Sequence, residues 1–311
     1  MWKMRRLPSV LVSSVVRGAN QGDSHGGLYR VDLEAETSEQ LLDWNDGGIN
    51  FDGRGADRGL RGIAVIGEEI FIAASDELFV FDRNFTILAS YRNAYLKHCH
   101  EIATLGGSLY LTSTGFDSVL RFDLASRAFN LGLRLFRRGD AYGVQAYDPN
   151  AAVGPAPPMQ FHLNNVHLNE YGIFLSGLKL GALVQVTPNS VSIVADIPLG
   201  THNAQPFRGG VLLNDTEADS LVWWTPERHV AIPVPQYPES ELLFSGADVT
   251  GVARQAFGRG LCRLSDLVFA GGSSPTTVSV YDLTAGERVK SINLTMDVRN
   301  AAHGMAVWPF D

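Results

Sequence analysis

Arg61, His100, Asn164, His202, Arg259 and His303 each open a short phrase: "RGIAV", "HEIA", "NNVH", "HNAQ", "RGLC" and "HGMAV". Three imidazoles brought to one point can hold Zn²⁺ or a similar transition metal at about 2.0 to 2.1 Å per nitrogen, leaving a position open for water or substrate. Two guanidiniums at the same level suit a carboxylate or phosphate, which their fork of donors grips with paired hydrogen bonds. The set predicts a divalent transition metal, Zn or Fe, on His100, His202 and His303, beside a small anionic molecule held by Arg61, Asn164 and Arg259. Without a metal, the same residues make a polar binding site or a hydrogen-bonded structural lining.

His98 and His162 lie two positions before His100 and Asn164, in "HCHE" and "HLNN". Alternation along an extended chain would put them on the same side, nearer the entrance, as a fourth ligand or as a general acid or base. Asp215, ending "LLND", is the carboxylate best placed for proton transfer. Glu101 is a second candidate, acting directly or orienting an imidazole. Cys99, between two histidines, is a candidate thiol. No Walker loop, GxSxG elbow or paired CxxC ligands occur, and the glycines of "FDGRGADRG" read as loop.

Something must gather residues spread from position 61 to 303. Helical periodicity is weak, whereas short runs of Val, Ile, Leu, Phe and Tyr alternate with Gly, Asp, Asn and Ser turns, the mark of an all-β chain. Five units repeat a phrase, a turn, an apolar strand, a turn and a further strand often ending in aspartate. Arg61 to Ile70, His100 to Leu109, Asn164 to Ile173, His202 to Val211 and Arg259 to Val268 are each nine residues apart. A sixth unit is split: "GGLYRVDLEAETSEQLLDW" lacks an opening phrase, and "HGMAVWPF" supplies it from the far end. Split repeats close a ring and leave no long open edge. The chain is thus expected to be one domain over 1–311, a six-bladed β-propeller closed by its C-terminal strand in the first blade. The first letters then line the mouth of the central channel, with the histidines on the first, third and fifth blades. Two insertions, 134–160 and 235–258, stretch the period and are expected on the face that carries the ring, as a lid.

The 33 acidic residues exceed the 25 basic ones, for a formal charge of −8, and no Lys/Arg stripe suits nucleic acid. No stretch approaches the roughly 20 apolar residues of a membrane span, and "LPSVLVSSVV" reads as the first strand. Two cysteines make no disulfide framework, which fits a cytoplasmic protein.

Over about residues 58 to 275, the phrases "RGIAV", "HEIA", "HLNN" and "RGLCRLSDLVFAGGSSP" resemble an uncharacterised family of bacterial six-bladed propellers. More distantly the architecture is similar to lactonase and strictosidine-synthase-like propellers, whose axial metal is often calcium held by Glu, Asn and Asp. This chain departs from them by offering histidines. Four-histidine iron oxygenases also use propeller axes. The expected function is a metal-dependent hydrolase or lyase acting on a small organic anion. The alternatives are a non-catalytic module that binds a ligand or protein partner, and an iron oxygenase.

Overall fold

The computed structural model describes residues 6–19, 22–45, 59–157, 159–246 and 254–310. Its strands form six antiparallel sheets arranged as a six-bladed β-propeller. Blade 1 is ordered Asn300–Val307, Ser9–Val16, Gly27–Asp32, Thr37–Asp43, so its innermost strand comes from the C-terminal end of the chain. That strand pairs with Ser9–Val16 from Val10↔Val307 to Val16↔Asn300. The expected closure is therefore present.

The innermost strands of blades 2 to 6 are Ile63–Ile66, Ile102–Leu105, Leu163–Asn169, His202–Phe207 and Arg259–Arg263. Middle strands are buried on both faces, as in Glu77–Phe81, while outer strands such as Ile87–Arg92 are largely exposed. This gradient explains the continuous apolar runs of the sequence, because a middle strand is covered by both neighbouring blades. Six hydrophobic clusters result, one for each interface between blades, including the one joining blades 6 and 1. The aspartates that end third strands have a shared duty. Asp32, Asp82, Asp123 and Asp282 each accept backbone N–H groups of the following turn, the Asx arrangement that fixes a hairpin.

The strands pair in one register except in blade 6. Ile63↔Ile72, Ile102↔Leu111 and Val166↔Leu175 keep one register, but in blade 6 Leu261 pairs with Gly271, one residue out. The turn from Leu264 to Val268 absorbs the extra residue. Most of the first insertion is a hairpin, and its far end, at Met159, reaches the cavity described below. Ala128–Arg138 and Ala141–Tyr147 form a long hairpin that adds a fifth strand to blade 3. Tyr142 packs on Phe161 and donates its hydroxyl to Leu180 O, so this residue of the hairpin bridges blades 3 and 4. Of the second insertion, residues 247–253 lie outside the described residues.

Candidate functional site

The residue after each ring residue decides how closely the blades meet at the axis. On blades 6, 1 and 2 it is Gly260, Gly304 and Gly62. A Cβ on Gly304 would collide with Arg61 O, one on Gly260 with His303 O, and one on Gly62 would come within 2.5 Å of Ile102 N. Backbone thus packs against backbone across three successive interfaces, which only glycine permits. On blades 3, 4 and 5 the same position carries Glu101, Asn165 and Asn203.

The ring itself is buried: Arg61, His100, Asn164, His202, Arg259 and His303 are at most 9% exposed. Its members pair across blades. Arg61 Nη1 donates to His100 Nε2 at 2.8 Å, and Arg259 Nη1 to His303 Nε2 at 2.8 Å. A guanidinium has no acceptor atom, so both imidazoles present lone pairs at Nε2. His100 Nδ1 accordingly carries its hydrogen and donates to His98 O at 2.7 Å. Burial is the main cause holding all three histidines well below the ordinary imidazole pKa, with the positive charge of Arg259 acting on each. They are neutral at pH 7.

As arranged, these imidazoles do not fit a metal. Two of the three Nε2 lone pairs already accept guanidinium protons, and a cation there would also face two positive charges. Among the described residues no group of three or more His, Cys, Asp or Glu side chains is placed to hold a metal ion. His202 differs from its two counterparts. Its Nδ1 donates to Gly200 O at 3.1 Å, and Nε2 makes no hydrogen bond with the described residues.

Above the ring lies a cavity of 680 Å³. His100, His202, Arg61 and Arg259 form its floor, while Asn164 and His303 lie outside its lining. Asn164 instead donates Nδ2 to Thr201 O at 3.0 Å. His98 and His162 do line the cavity, but through left-handed backbone (φ 53° and 52°) rather than extended chain. The His162 ring stands edge-on to His100 at 5.2 Å, and its pKa is lowered to about 4, chiefly by burial. Asp117 fixes this stretch by accepting Phe161 N at 3.0 Å and Leu163 N at 3.3 Å.

The two carboxylate candidates lie elsewhere. Asp215 accepts Glu217 N and Ala218 N, both at 3.1 Å, and so caps a turn beside the mouth. Glu101 lies one tier below, where its Oε2 accepts Asn203 Nδ2 at 2.9 Å across the axis. Burial pushes its carboxyl up to about 8. Folding therefore favours the protonated form, so its contribution is full below the ordinary carboxyl pKa and is lost as pH rises toward 8. Relative to wild type, Glu101→Gln should gain up to about 1.4 kcal/mol per pH unit across that window. Urea melts of both proteins at pH 5 and pH 8 check this, and a gap that does not change with pH counts against it. Cys99 is buried with its thiol pushed up to about 12, so it is no thiolate at neutral pH.

Sequence reasoning missed Arg17, Lys179, Glu217 and Phe257, all of which line the cavity. The signal for three of them was available, since residues just past the second strands rim the mouth: Arg17 on blade 1, Lys179 on blade 4 and Glu217 on blade 5. Phe257 comes from the second insertion. Its ring has Arg259 at 4.3 Å, Arg254 at 5.3 Å and Arg17 at 5.6 Å, and edge-on contact with His202 at 5.3 Å. A ring face attracts such cations, and Phe257 keeps three guanidiniums close together.

A larger hollow of 740 Å³ between blades 4 and 5 has Arg208 as the one charged residue of its described lining, which gathers no titratable cluster. The mouth is therefore the stronger site.

No family model matches the chain, and no curated protein matches it. Solved structures do. A chain in the crystal structure of a nidogen/laminin complex has a TM-score of 0.57 at 11% identity, covering 96% of this chain and 97% of that one. A protein of unknown function from Bacteroides caccae has 0.54 at 13%, covering 96% and 98%. A catalytically inactive virginiamycin B lyase from Staphylococcus aureus with quinupristin has 0.46 at 10%, covering 79% and 73%, too loose a match to carry chemistry across. The first two likenesses support the propeller fold alone. No described helix is long and apolar enough to cross a membrane.

Proposed function

We propose that the channel mouth binds a small organic anion on Arg61 and Arg259, and that the protein acts on it by proton transfer, as a hydrolase or lyase. The observation that carries this reading is the charge of the cavity. In a protein of formal charge −8, its described lining holds Arg17, Arg61, Lys179 and Arg259 against the single carboxylate of Glu217. Low-dielectric walls strengthen the field of such a cluster and draw anions to it.

His202 is the imidazole set up to take a proton. Gly200 O fixes its tautomer, and Nε2 carries the lone pair. The step breaks an X–H bond of the bound molecule, forms Nε2–H and leaves the electron pair on X. A neighbouring bound anion stabilises the resulting imidazolium, while Arg259 disfavours it in the empty site.

Calorimetric titration with sulfate and with benzoate tests the floor. Removing either Arg61 or Arg259 as Gln should weaken binding by about 10- to 100-fold, as expected for a charge-assisted hydrogen bond, with thermal melts confirming that each variant is folded. Unchanged affinity in both variants would end the reading. His202→Gln separates an enzyme from a binding module sharing this floor, because it should retain anion binding yet lose turnover of any substrate found.

A further inference from the structure

The cavity above the arginine floor is not polar throughout. Leu199 is 61% exposed and Met159 is 47% exposed, and both line it. Leu199 stands on the connection from blade 4 to blade 5, and Met159 on the chain returning to blade 4. Neither belongs to any of the hydrophobic clusters between blades. Leu178 adds to the same wall. It occupies the position just past the second strand, where blades 2, 3, 5 and 6 have Ser75, Thr114, Thr216 and Ser274. Phe257 completes the apolar wall beside His202.

Apolar side chains left open to water at the rim of a charged floor gain free energy when a ligand covers them, by roughly 25 cal/mol per Å². A volume of 680 Å³ is ample for a head group on the floor and a body of several carbons above it. Glu217 adds a constraint. It stands at the blade 5 rim, beside Gly200, where a second negative group on the far end of a ligand would meet a like charge.

Building on the anion-binding reading, we infer that the natural ligand is an organic acid with one anionic head and an apolar body. The head lies on Arg61 and Arg259, and the body covers Leu178, Leu199, Met159 and Phe257.

Straight-chain carboxylates test this directly, with acetate, butanoate, hexanoate and octanoate titrated calorimetrically at pH 7, and suberate as the two-headed acid of octanoate's length. Affinity should rise about fourfold for each methylene that becomes covered. Leu199→Ser with Met159→Ser should flatten that rise and leave acetate unchanged, whereas Arg259→Gln should weaken every acid alike. Suberate should bind more weakly than octanoate. If octanoate binds no better than acetate while Arg259→Gln still weakens both, the apolar-body inference is overturned and the anion site stands. Suberate binding as well as octanoate would overturn the single-head requirement. If no acid and no sulfate binds, the anion reading falls, and this inference with it.

Discussion

Acidified from pH 7 to pH 4, the protein should unfold and take up several protons as it does so. His100, His202 and His303 are held well below the ordinary imidazole pKa, and His162 and His167 are lowered to about 4, with burial the main cause in each case. For a base whose folded pKa is depressed, the contribution to stability is complete above the unfolded value near 6.5 and is lost as pH falls toward the folded value. Each such imidazole removes up to about 1.4 kcal/mol per pH unit in that window. His162 alone accounts for about 2 kcal/mol once its partial contact with solvent is discounted. Together, even after the stability that Glu101 regains over the same range, they are comparable to a typical domain stability of about 5 to 15 kcal/mol. Circular dichroism against pH, with nitrogen-15 spectra of the histidine rings, follows both the unfolding and the protons. A ring imidazole titrating near 6.5 while the protein stays folded would contradict this account.

Deleting the last nine residues, "HGMAVWPFD", should cost more than any single substitution. It removes the pairs Val10↔Val307, Leu11↔Ala306 and Val12↔Met305, leaving one edge of Ser9–Val16 open. It also takes away the acceptor of Arg259 and the stack of Trp308 on Phe85, whose ring centroids are 5.9 Å apart. The lost burial and the exposed edge together amount to at least about 5 kcal/mol, or a fall in Tm of roughly 10 °C or more. Differential scanning calorimetry with light scattering would show the lower transition and edge-to-edge association. A milder companion is Gly304→Ala, whose new methyl meets Arg61 O. A truncated chain melting like the full one would mean that blade 1 closes by other means.

Closure and the ring were legible in the sequence because both depend on spacing. Nine residues from the opening phrase to the second strand is a local quantity, and a blade repeats it. The one-residue slip in blade 6 was hidden, since the nine-residue spacing from Arg259 to Val268 matches the other blades while the strands pair one residue out across the turn at 264–268. Pairing between Arg61 and His100, or Arg259 and His303, links residues about 40 positions apart on neighbouring blades. A list of ring residues contains their types but not which lone pair meets which guanidinium, and that detail removes the metal from the reading. The left-handed turns at His98 and His162 were also invisible, because these residues are not glycines. Their rings reached the cavity by a route that alternation does not describe. The hairpin at 128–147 looked like insertion because its alternating residues extend a blade outward instead of adding a repeat.

The run of glycines on blades 6, 1 and 2 bears on how such a chain can diverge. Repeated blades begin as copies, and drift should in time erase their likeness at every position equally. Here the second place of the phrase is free to change on only one half of the circle. On the other half, any side chain displaces a neighbouring strand, so a substitution must be matched by a shift of a whole blade. New chemistry at the lower tier of this channel can therefore enter only through blades 3, 4 and 5, where Glu101, Asn165 and Asn203 now stand, and redesign of the bore has three usable positions instead of six.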